Sequence, residues 1–303
     1  MSGQATIGGS VGTRLLALAG SLAIVGAVFF GVVRPWYLGW GATDEERRRV
    51  LPGDAIVSRA ASQDTRAITI QAPADQVWPW LAQLGQDRGG FYSFDLLENL
   101  VGCEMPTDDR PRPDRQSWSM GDKLWMYPSR KAGGVGFATL RAYVPGRALG
   151  FATHMTGTPV TAPENGSWSF VLEPIDASTT RLIARGRGAG GRALLGVSFD
   201  RAIFEPAHFV MERRMLIGIK DLAEGRDRGR VGNHIQVGLW TLTFVVFMLS
   251  IGMVLAGVRW KHAIAGLFVS AAVFQLLTLV QPPLFAGAAL AALAIGVLAW
   301  PER

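Results

Sequence analysis

The sequence predicts an α+β domain flanked by membrane-spanning helices, one before it and three after it. Three observations carry this. Both ends of the chain are long apolar runs with almost no charge. The middle alternates short strand-like segments with turn residues, and a long helical pattern closes it before the apolar runs resume.

Taken in order, residues 15–33 form the first apolar run, between Arg14 and Arg34. At 1.5 Å per residue it nearly matches the roughly 30 Å hydrocarbon core of a bilayer. A cleaved signal peptide is the competing reading. The residues that follow, RPWYLGW, contain no small-x-small cleavage site, and Trp36, Tyr37 and Trp40 suit a membrane interface. Residues 1–40 are therefore read as a retained anchor and residues 41–63 as a linker.

Residues 66–70 alternate, with Ile68 and Ile70 on one side, and read as a strand. The Ala72-Pro73-Ala74-Asp75 turn then opens a helix near Asp75, which places Pro79 in its first turn. A second short helix is expected over 94–101. Residues 104–120, rich in Asp, Arg, Pro and Ser, read as a loop. Strands follow over 123–126, 136–144, 149–154, 168–173 and 180–185, separated by turns such as Pro145-Gly146. Trp168, Phe170 and Leu172 share one face, and Ser167, Ser169 and Val171 the other. A long helix over 200–224, bent near Pro206, closes the domain, which spans 64–228. Ile203, Ala207, Val210, Met211, Ile217 and Leu222 give this helix its apolar area. An antiparallel sheet with one apolar face needs such a cover. Where a long helix crosses a strongly curved sheet, side chains need not fill the space between, and a cavity for an apolar ligand results.

Residues 229–303 form the C-terminal membrane region, with apolar runs over 235–258, 263–281 and 284–300. Helices cross lipid because they satisfy their own backbone hydrogen bonds. None of these runs holds an acidic or basic residue, which argues against an ion pathway. Gly252, Gly257, Gly266 and Gly287 permit close packing, and Gln275 and Gln281 are mild polar features. The last run is short and alanine-rich. Basic residues on the domain side (Arg34, Arg47, Arg48, Arg49, Lys220, Arg226, Arg228, Arg230) outnumber those opposite (Arg14, Arg259, Lys261, Arg303). This bias places the domain on the cytoplasmic side of the inner membrane.

Hydrophobic residues make up 49% of the chain and charged residues 18%, below the roughly 25% of a typical soluble chain. Nearly all Asp, Glu, Lys and Arg lie between Arg34 and Arg230. The net charge of +6 suits an anionic membrane surface. No zinc-finger spacing or basic recognition helix occurs, so nucleic acid is not an expected partner. The lone Cys103 excludes an intrachain disulfide framework. His154, His208, His234 and His262 share no ligand-like spacing, and the glycines at 186, 188, 190, 191 and 196 make no complete phosphate-binding fingerprint. Neither a metal nor a cofactor is expected.

The segment RAITIQAPADQVWPWLAQLGQD at 66–87 resembles the opening of the START-like, polyketide-cyclase-like (SRPBCC) superfamily of helix-grip proteins. There a first strand leads through an Ala-Pro turn into a helix that opens with Val-Trp. Ile70, Ala72, Pro73, Val77, Trp78 and Leu81 match that pattern. RGGFYSFDLLENLVG, GDKLW and HFVMERRMLIGIKDLAEG are similar to a bacterial membrane-anchored subgroup. The resemblance covers residues 64–225. It implies a curved antiparallel sheet around a long C-terminal helix, and members that bind, carry or transform lipids and other hydrophobic molecules.

Candidate site residues follow. Arg88 and Tyr92, with Ser93, Asp95, Glu98 and Asn99, suit a pocket rim, Arg88 meeting an anionic headgroup or carboxylate. Helix capping by Ser93 or Asp95 is the alternative. Glu205 and His208, three apart, share a helix face and suit an acid-base pair, or else a surface histidine. His154 ends a strand. Trp118, Trp125 and Trp168, with Tyr127, line a cavity or belong to the core. Glu212, Arg213 and Arg214 read as a solvated face or a contact with lipid headgroups. Three functions compete: a membrane-tethered binder or carrier of a lipid or other hydrophobic small molecule, a cyclase- or hydrolase-type enzyme, and a non-catalytic interaction module. Expected partners are membrane lipids and a hydrophobic ligand.

Overall fold

The computed structural model describes residues 10–106, 109–133, 136–153, 166–188, 200–227 and 229–300. Its helices are α1 (Val11–Val28), α2 (Arg34–Leu38), α3 (Asp44–Arg48), α4 (Ala74–Ala82), α5 (Asp95–Leu100), α6 (Glu205–Ala223), α7 (Arg230–Ala256), α8 (Trp260–Gln275) and α9 (Leu284–Ala299). Its strands are β1 (Ser62–Ile70), β2 (Lys123–Trp125), β3 (Phe137–Val144), β4 (Ala148–Thr153), β5 (Gly166–Pro174) and β6 (Thr180–Gly188). The chain divides into two compact units, residues 36–228 and residues 1–35 with 229–303.

The first unit is α+β. Six antiparallel strands form one curved sheet in the order β1-β6-β5-β4-β3-β2, and the order of elements is consistent with a helix-grip-like fold. β1 is longer than its apolar pattern suggests. It pairs with β6 from Ser62 opposite Gly188 to Ile70 opposite Thr180. The inner face carries Ile70, Leu140, Phe151, Trp168, Phe170, Leu172 and Leu182, packed in one cluster with Leu81 and Leu84 near α4 and Met215, Leu216 and Ile219 of α6. Gly218 lets α6 lie directly against the backbone of Tyr92, where any added methyl would collide.

The outer face is also covered, which corrects the expectation of one apolar face. Leu51, Ala67, Ala148, Val171 and Ile183 form a second buried cluster. Residues 41–63, read from sequence as a linker, supply this cover. A capping box starts α3, with Thr43 and Glu46 exchanging hydrogen bonds. Gly53, at φ +97°, turns the chain so tightly onto Ser169 that a Cβ would not fit. Arg185 of β6 ties the segment down, donating to Asp54 Oδ2 at 2.7 Å, Arg49 O at 2.9 Å and Glu46 O. Along the outer edge of β1, Ala67 N–H donates to Trp40 O at 3.0 Å, and Gln63 Nε2 donates to Arg47 O at 2.9 Å. At the other edge β2 is only three residues long.

Two helices differ from expectation. Pro79 sits inside α4, beyond its first turn, so the helix gives up one backbone hydrogen bond and ends at Ala82. Pro206 falls at the start of α6, where its missing N–H costs nothing. A π-helical turn over Asp200–Phe204 directly precedes it, so the helical run is irregular next to Pro206. Ile203 and Ala207 are exposed, so the apolar face of α6 begins at Phe209 and runs through Val210, Met215, Leu216, Ile219 and Leu222.

Strand parity puts Arg66 on the inner face beside Ile68 and Ile70, and its side chain is wholly buried. A buried guanidinium needs a counter-charge, and Glu212, one turn along the inward stripe of α6 from Phe209, provides it. Arg66 Nε also donates to Tyr37 O at 3.1 Å, and Trp168 Nε1 donates to Glu212 Oε1 at 2.5 Å. Glu212 is thus a buried ion-pair partner, not a residue of a solvated face.

In the second unit three helices are long and apolar enough to cross a membrane: Val11–Leu38, Arg230–Ala256 and Trp260–Val280. The fourth expected span is shorter. α9 has 16 residues, about 24 Å of helix against a hydrocarbon core of roughly 30 Å. Gly266 and Gly287 are packing glycines, the first against Ser250 and Leu298, the second against Leu277 and Leu239. Gly252 faces open space. Trp240 Nε1 donates to Leu277 O at 2.8 Å, beside the π-helical turn over Leu276–Val280.

Replacing Glu212 alone by Leu leaves the buried Arg66 with Asp64, 3.2 Å away, as its one remaining carboxylate in ion-pair range among the described residues, and is expected to cost about 3 kcal/mol, a fall in melting temperature on the order of 10 °C. The double variant Arg66→Met/Glu212→Leu recovers most of that loss. Thermal melts of the detergent-solubilised full chain, followed by near-UV circular dichroism, check both.

Candidate functional site

A pocket of about 560 Å³ opens beside β2, lined by Gly85, Arg88, Asp114, Ser117, Asp122 and Trp125, among others. Local chain geometry builds it. After α4 the chain makes a closed turn in which Gly85 N–H donates to Gly90 O at 3.1 Å and Gly90 N–H donates to Gly85 O at 2.9 Å. Both glycines have positive φ, +119° and +86°, a conformation other residues adopt only under strain. Gln86 N–H donates to Trp125 O at 2.8 Å and anchors the turn to β2. The opposite wall is the loop before β2. Asp122 holds it by accepting from Ser119 N–H at 2.8 Å, while Leu140 N–H donates to Asp122 O at 2.8 Å.

Arg88 lies flat on Trp118, its guanidinium carbon 3.6 Å from the ring centroid. Such a cation–π contact strengthens as the cation loses water. Arg88 Nη1 donates to Arg115 O at 2.6 Å, and Arg115 Nη1 donates back to Arg88 O at 2.5 Å. Burial pulls the Arg88 pKa down, and Asp122, 3.9 Å away, partly opposes this. Trp118 is itself buried. Its Nε1 donates to Ala82 O at 2.6 Å, and its ring meets Phe151 edge-on at 5.2 Å. Trp125 stands beside Phe137, with Lys123 Nζ 4.2 Å from the Phe137 ring and 5.2 Å from Trp125. The pocket therefore carries three basic side chains (Arg88, Arg115, Lys123), three acidic ones (Asp87, Asp114, Asp122) and an aromatic wall.

The sequence-derived candidates separate into two places. Arg88 and Trp125 line this pocket, and the buried Trp118 lies beneath Arg88. Tyr92 does not stand on its rim: it is buried at φ +56°, its ring edge-on to Trp80 at 5.9 Å. Ser93 donates to Met211 O at 2.8 Å, Asn99 accepts from Met105 N–H at 2.7 Å, and α5 starts without a side-chain cap. His154 lies outside the described residues. Trp168, Glu205 and His208 gather around the Arg66–Glu212 pair. Glu205 accepts from Tyr37 Oη at 2.6 Å. His208 stacks on Phe204 at 5.7 Å and meets Trp168 edge-on at 5.4 Å. Asp64 lies 3.2 Å from Arg66. Burial pushes its carboxyl from the ordinary 3.8 up to about 6, against the pull of Arg66 and with the repulsion of Glu212 and Glu205. Glu212 is held below the ordinary range because Arg66, His208 and the Trp168 N–H outweigh its own burial.

Arg66, Asp64 and Glu212 escaped sequence reasoning, yet a signal was present. Arg66 shares the parity of Ile68 and Ile70, and Glu212 falls within the inward stripe of α6. Nothing in the sequence joins Arg88 to Trp118, thirty positions apart. Cys103 is buried with Sγ 3.6 Å from Met126 O, and burial raises its thiol pKa, so it is poorly set up as a nucleophile.

No protein-family model matches this chain, and no curated protein does. Two solved structures are similar to it. Protein MLL2253 from Mesorhizobium loti is 16% identical, over 55% of this chain and 99% of that one, with a TM-score of 0.33. The Zhui aromatase/cyclase from Streptomyces sp. R1128 is 18% identical, over 54% of this chain and 92% of that one, with a TM-score of 0.28.

The raised Asp64 pKa has a pH signature. Between about pH 4 and 6 the folded chain holds a proton at Asp64 that the unfolded chain has lost, so this group's contribution to stability falls as pH rises through that window. Asp64→Asn removes the slope. Relative to wild type, the variant is expected to gain on the order of 2 kcal/mol between pH 4 and 7. Melting curves across that range check it.

Proposed function

We propose that this chain is a membrane-tethered binder of an amphipathic small molecule with an anionic head, taken up by the pocket at Arg88. The observation that carries this reading is the Arg88–Trp118 stack in a pocket of about 560 Å³, within the roughly 300–1,000 Å³ range of small-molecule sites. A carboxylate or phosphate is recognised by charge-assisted hydrogen bonds from the guanidinium, supported by Lys123 and Arg115. The apolar part of the ligand lies along Trp125. The charged lining favours an amphipathic ligand over a purely apolar one. The interior between α6 and the sheet holds the packed cluster of Phe91, Trp168, Phe170 and Met215.

Three helices able to cross a membrane support the tether. The excess of basic residues beside the α+β unit supports a position on the cytoplasmic side of the inner membrane. Tethering keeps the pocket at high local concentration with membrane-derived amphiphiles. The unit's strand order supports membership of the helix-grip proteins, whose members bind, carry or transform hydrophobic molecules.

Calorimetric titration of the nanodisc-embedded full chain with decanoate and with decanol tests this. Decanoate is expected to bind above the empty-nanodisc background, and Arg88→Gln to weaken it about tenfold while decanol changes less than about twofold. Lys123→Gln, at an exposed position, is expected to weaken decanoate by a smaller factor. No decanoate binding above background, or equal loss for both probes, would overturn the reading.

A further inference from the structure

Trp36, Tyr37 and Trp40 read from sequence as an interfacial belt, but in the α+β unit they gather on Phe209 of α6. Tyr37 stacks on that ring at 5.1 Å, and Trp36 and Trp40 meet it edge-on at 5.8 and 6.4 Å. Tyr37 is wholly buried, and its Oη donates to Glu205 Oε1 at 2.6 Å. Glu205 is the first residue of α6. The start of α6 is therefore joined to a residue four positions beyond the first apolar run, which ends at Val33. Arg34–Leu38 is helical, so Tyr37 lies only about 6 Å of helix past that end. The polar layer on each side of a bilayer is itself roughly 5–8 Å deep. Chain connectivity alone thus brings the start of α6 to headgroup depth.

The surface at this point is apolar. Ile203 is 55% exposed, Phe204 58% and Trp36 42%. Phe204 and the exposed Ala207 are three apart on continuous helical backbone and share a face. The Phe204 ring stacks on His208 at 5.7 Å and still keeps more than half its surface open. Glu205, the carboxylate next to it in the chain, is engaged by Tyr37. Single exposed apolar residues are ordinary, whereas contiguous ones mark contact sites.

We infer that Ile203, Phe204 and Trp36 form a membrane-contact patch that inserts into the interfacial layer of the bilayer. The inference rests on the membrane tether proposed above and is independent of the pocket at Arg88. Lipid is the occupant because the tether keeps Tyr37, and with it Glu205, at headgroup depth, where lipid is the first apolar surface within reach. A second copy or a soluble protein would have to displace that lipid first. Apolar side chains of interfacial helices lie in the same layer, and an indole such as that of Trp36 suits it. The patch gives the α+β unit a second hold on the membrane besides its covalent tether.

Fluorescence of the full chain in phosphatidylcholine nanodiscs tests this, with the polarity-sensitive nitrobenzoxadiazole label on Phe204→Cys. Ile175→Cys, 57% exposed in the turn between β5 and β6, is the aqueous reference. Leu16→Cys, within the first apolar run, reports the tether. The unsubstituted chain, with Cys103 buried, gives the labelling background. The Phe204 label is expected to emit to the blue of the Ile175 label, to lose most of its emission to lipids with a doxyl group on the acyl chain, and to resist iodide in the water. Ala207→Cys, exposed on the same face, repeats the measurement if Phe204→Cys does not fold. A Phe204 label as open to iodide as the Ile175 label, while doxyl lipid quenches the Leu16 label, would overturn the patch and leave the tether standing. Resistance to both quenchers would overturn it too, since protein would then cover the site. A Leu16 label open to iodide would overturn the tether and the patch with it.

Discussion

The buried pair between Arg66 and Glu212 is the constraint on which the α+β unit depends. A guanidinium with no access to water cannot tolerate a missing partner, so β1 and α6 have one mutual position. Trp168 Nε1 adds β5 to the same network, and Tyr37 O adds the segment before the sheet. The outer face repeats the arrangement with Arg185, which binds Asp54 and Thr65 Oγ1, the latter at 3.1 Å. A one-residue slip of β1 against β6 would exchange the faces of every side chain. It would bring Arg66 outward and Thr65 inward, breaking both networks at once. Two arginines on opposite faces therefore fix the register.

The pocket lies where this order gives out. β2 is short, and the Gly85–Gly90 turn and the loop before β2 approach it without regular pairing. The space they leave is polar because its walls are loop residues, and behind Arg88 lies the buried Trp118, which packs against Phe151 of the core. A ligand that displaced or straightened Arg88 would act on a ring that belongs to the core. The burial that lowers the Arg88 pKa would also strengthen its attraction for an anion.

What the sequence made legible follows from periodicity. Both apolar ends, the succession of strand segments along the chain and the long closing helix were readable because alternation and 3.6-residue spacing are local signals. Pro79 was misplaced by less than a turn, since caps are weaker signals than apolar stripes. The outer cover was missed for a physical reason: residues 41–63 carry few apolar side chains, and Arg181 and Arg185 hold them through polar contacts that no periodicity records. Glu212 was misread because its neighbours Arg213 and Arg214 suggested a wet face, whereas helix geometry sets adjacent positions about 100° apart. The pocket joins residues around 88, 118 and 125 by turns, and turns carry little long-range information.

The edges of the sheet have a consequence for life at a surface. A protein confined to a bilayer meets its own copies far more often than one free in solution. A six-stranded sheet with open borders would invite them to join strand to strand. Here one border is occupied by the Trp40 carbonyl and the Arg47 segment, and the other ends in a three-residue strand topped by Lys123. Among the described residues, the segment that seals the outer face therefore also occupies part of the β1 edge, where a neighbouring copy would otherwise add a strand.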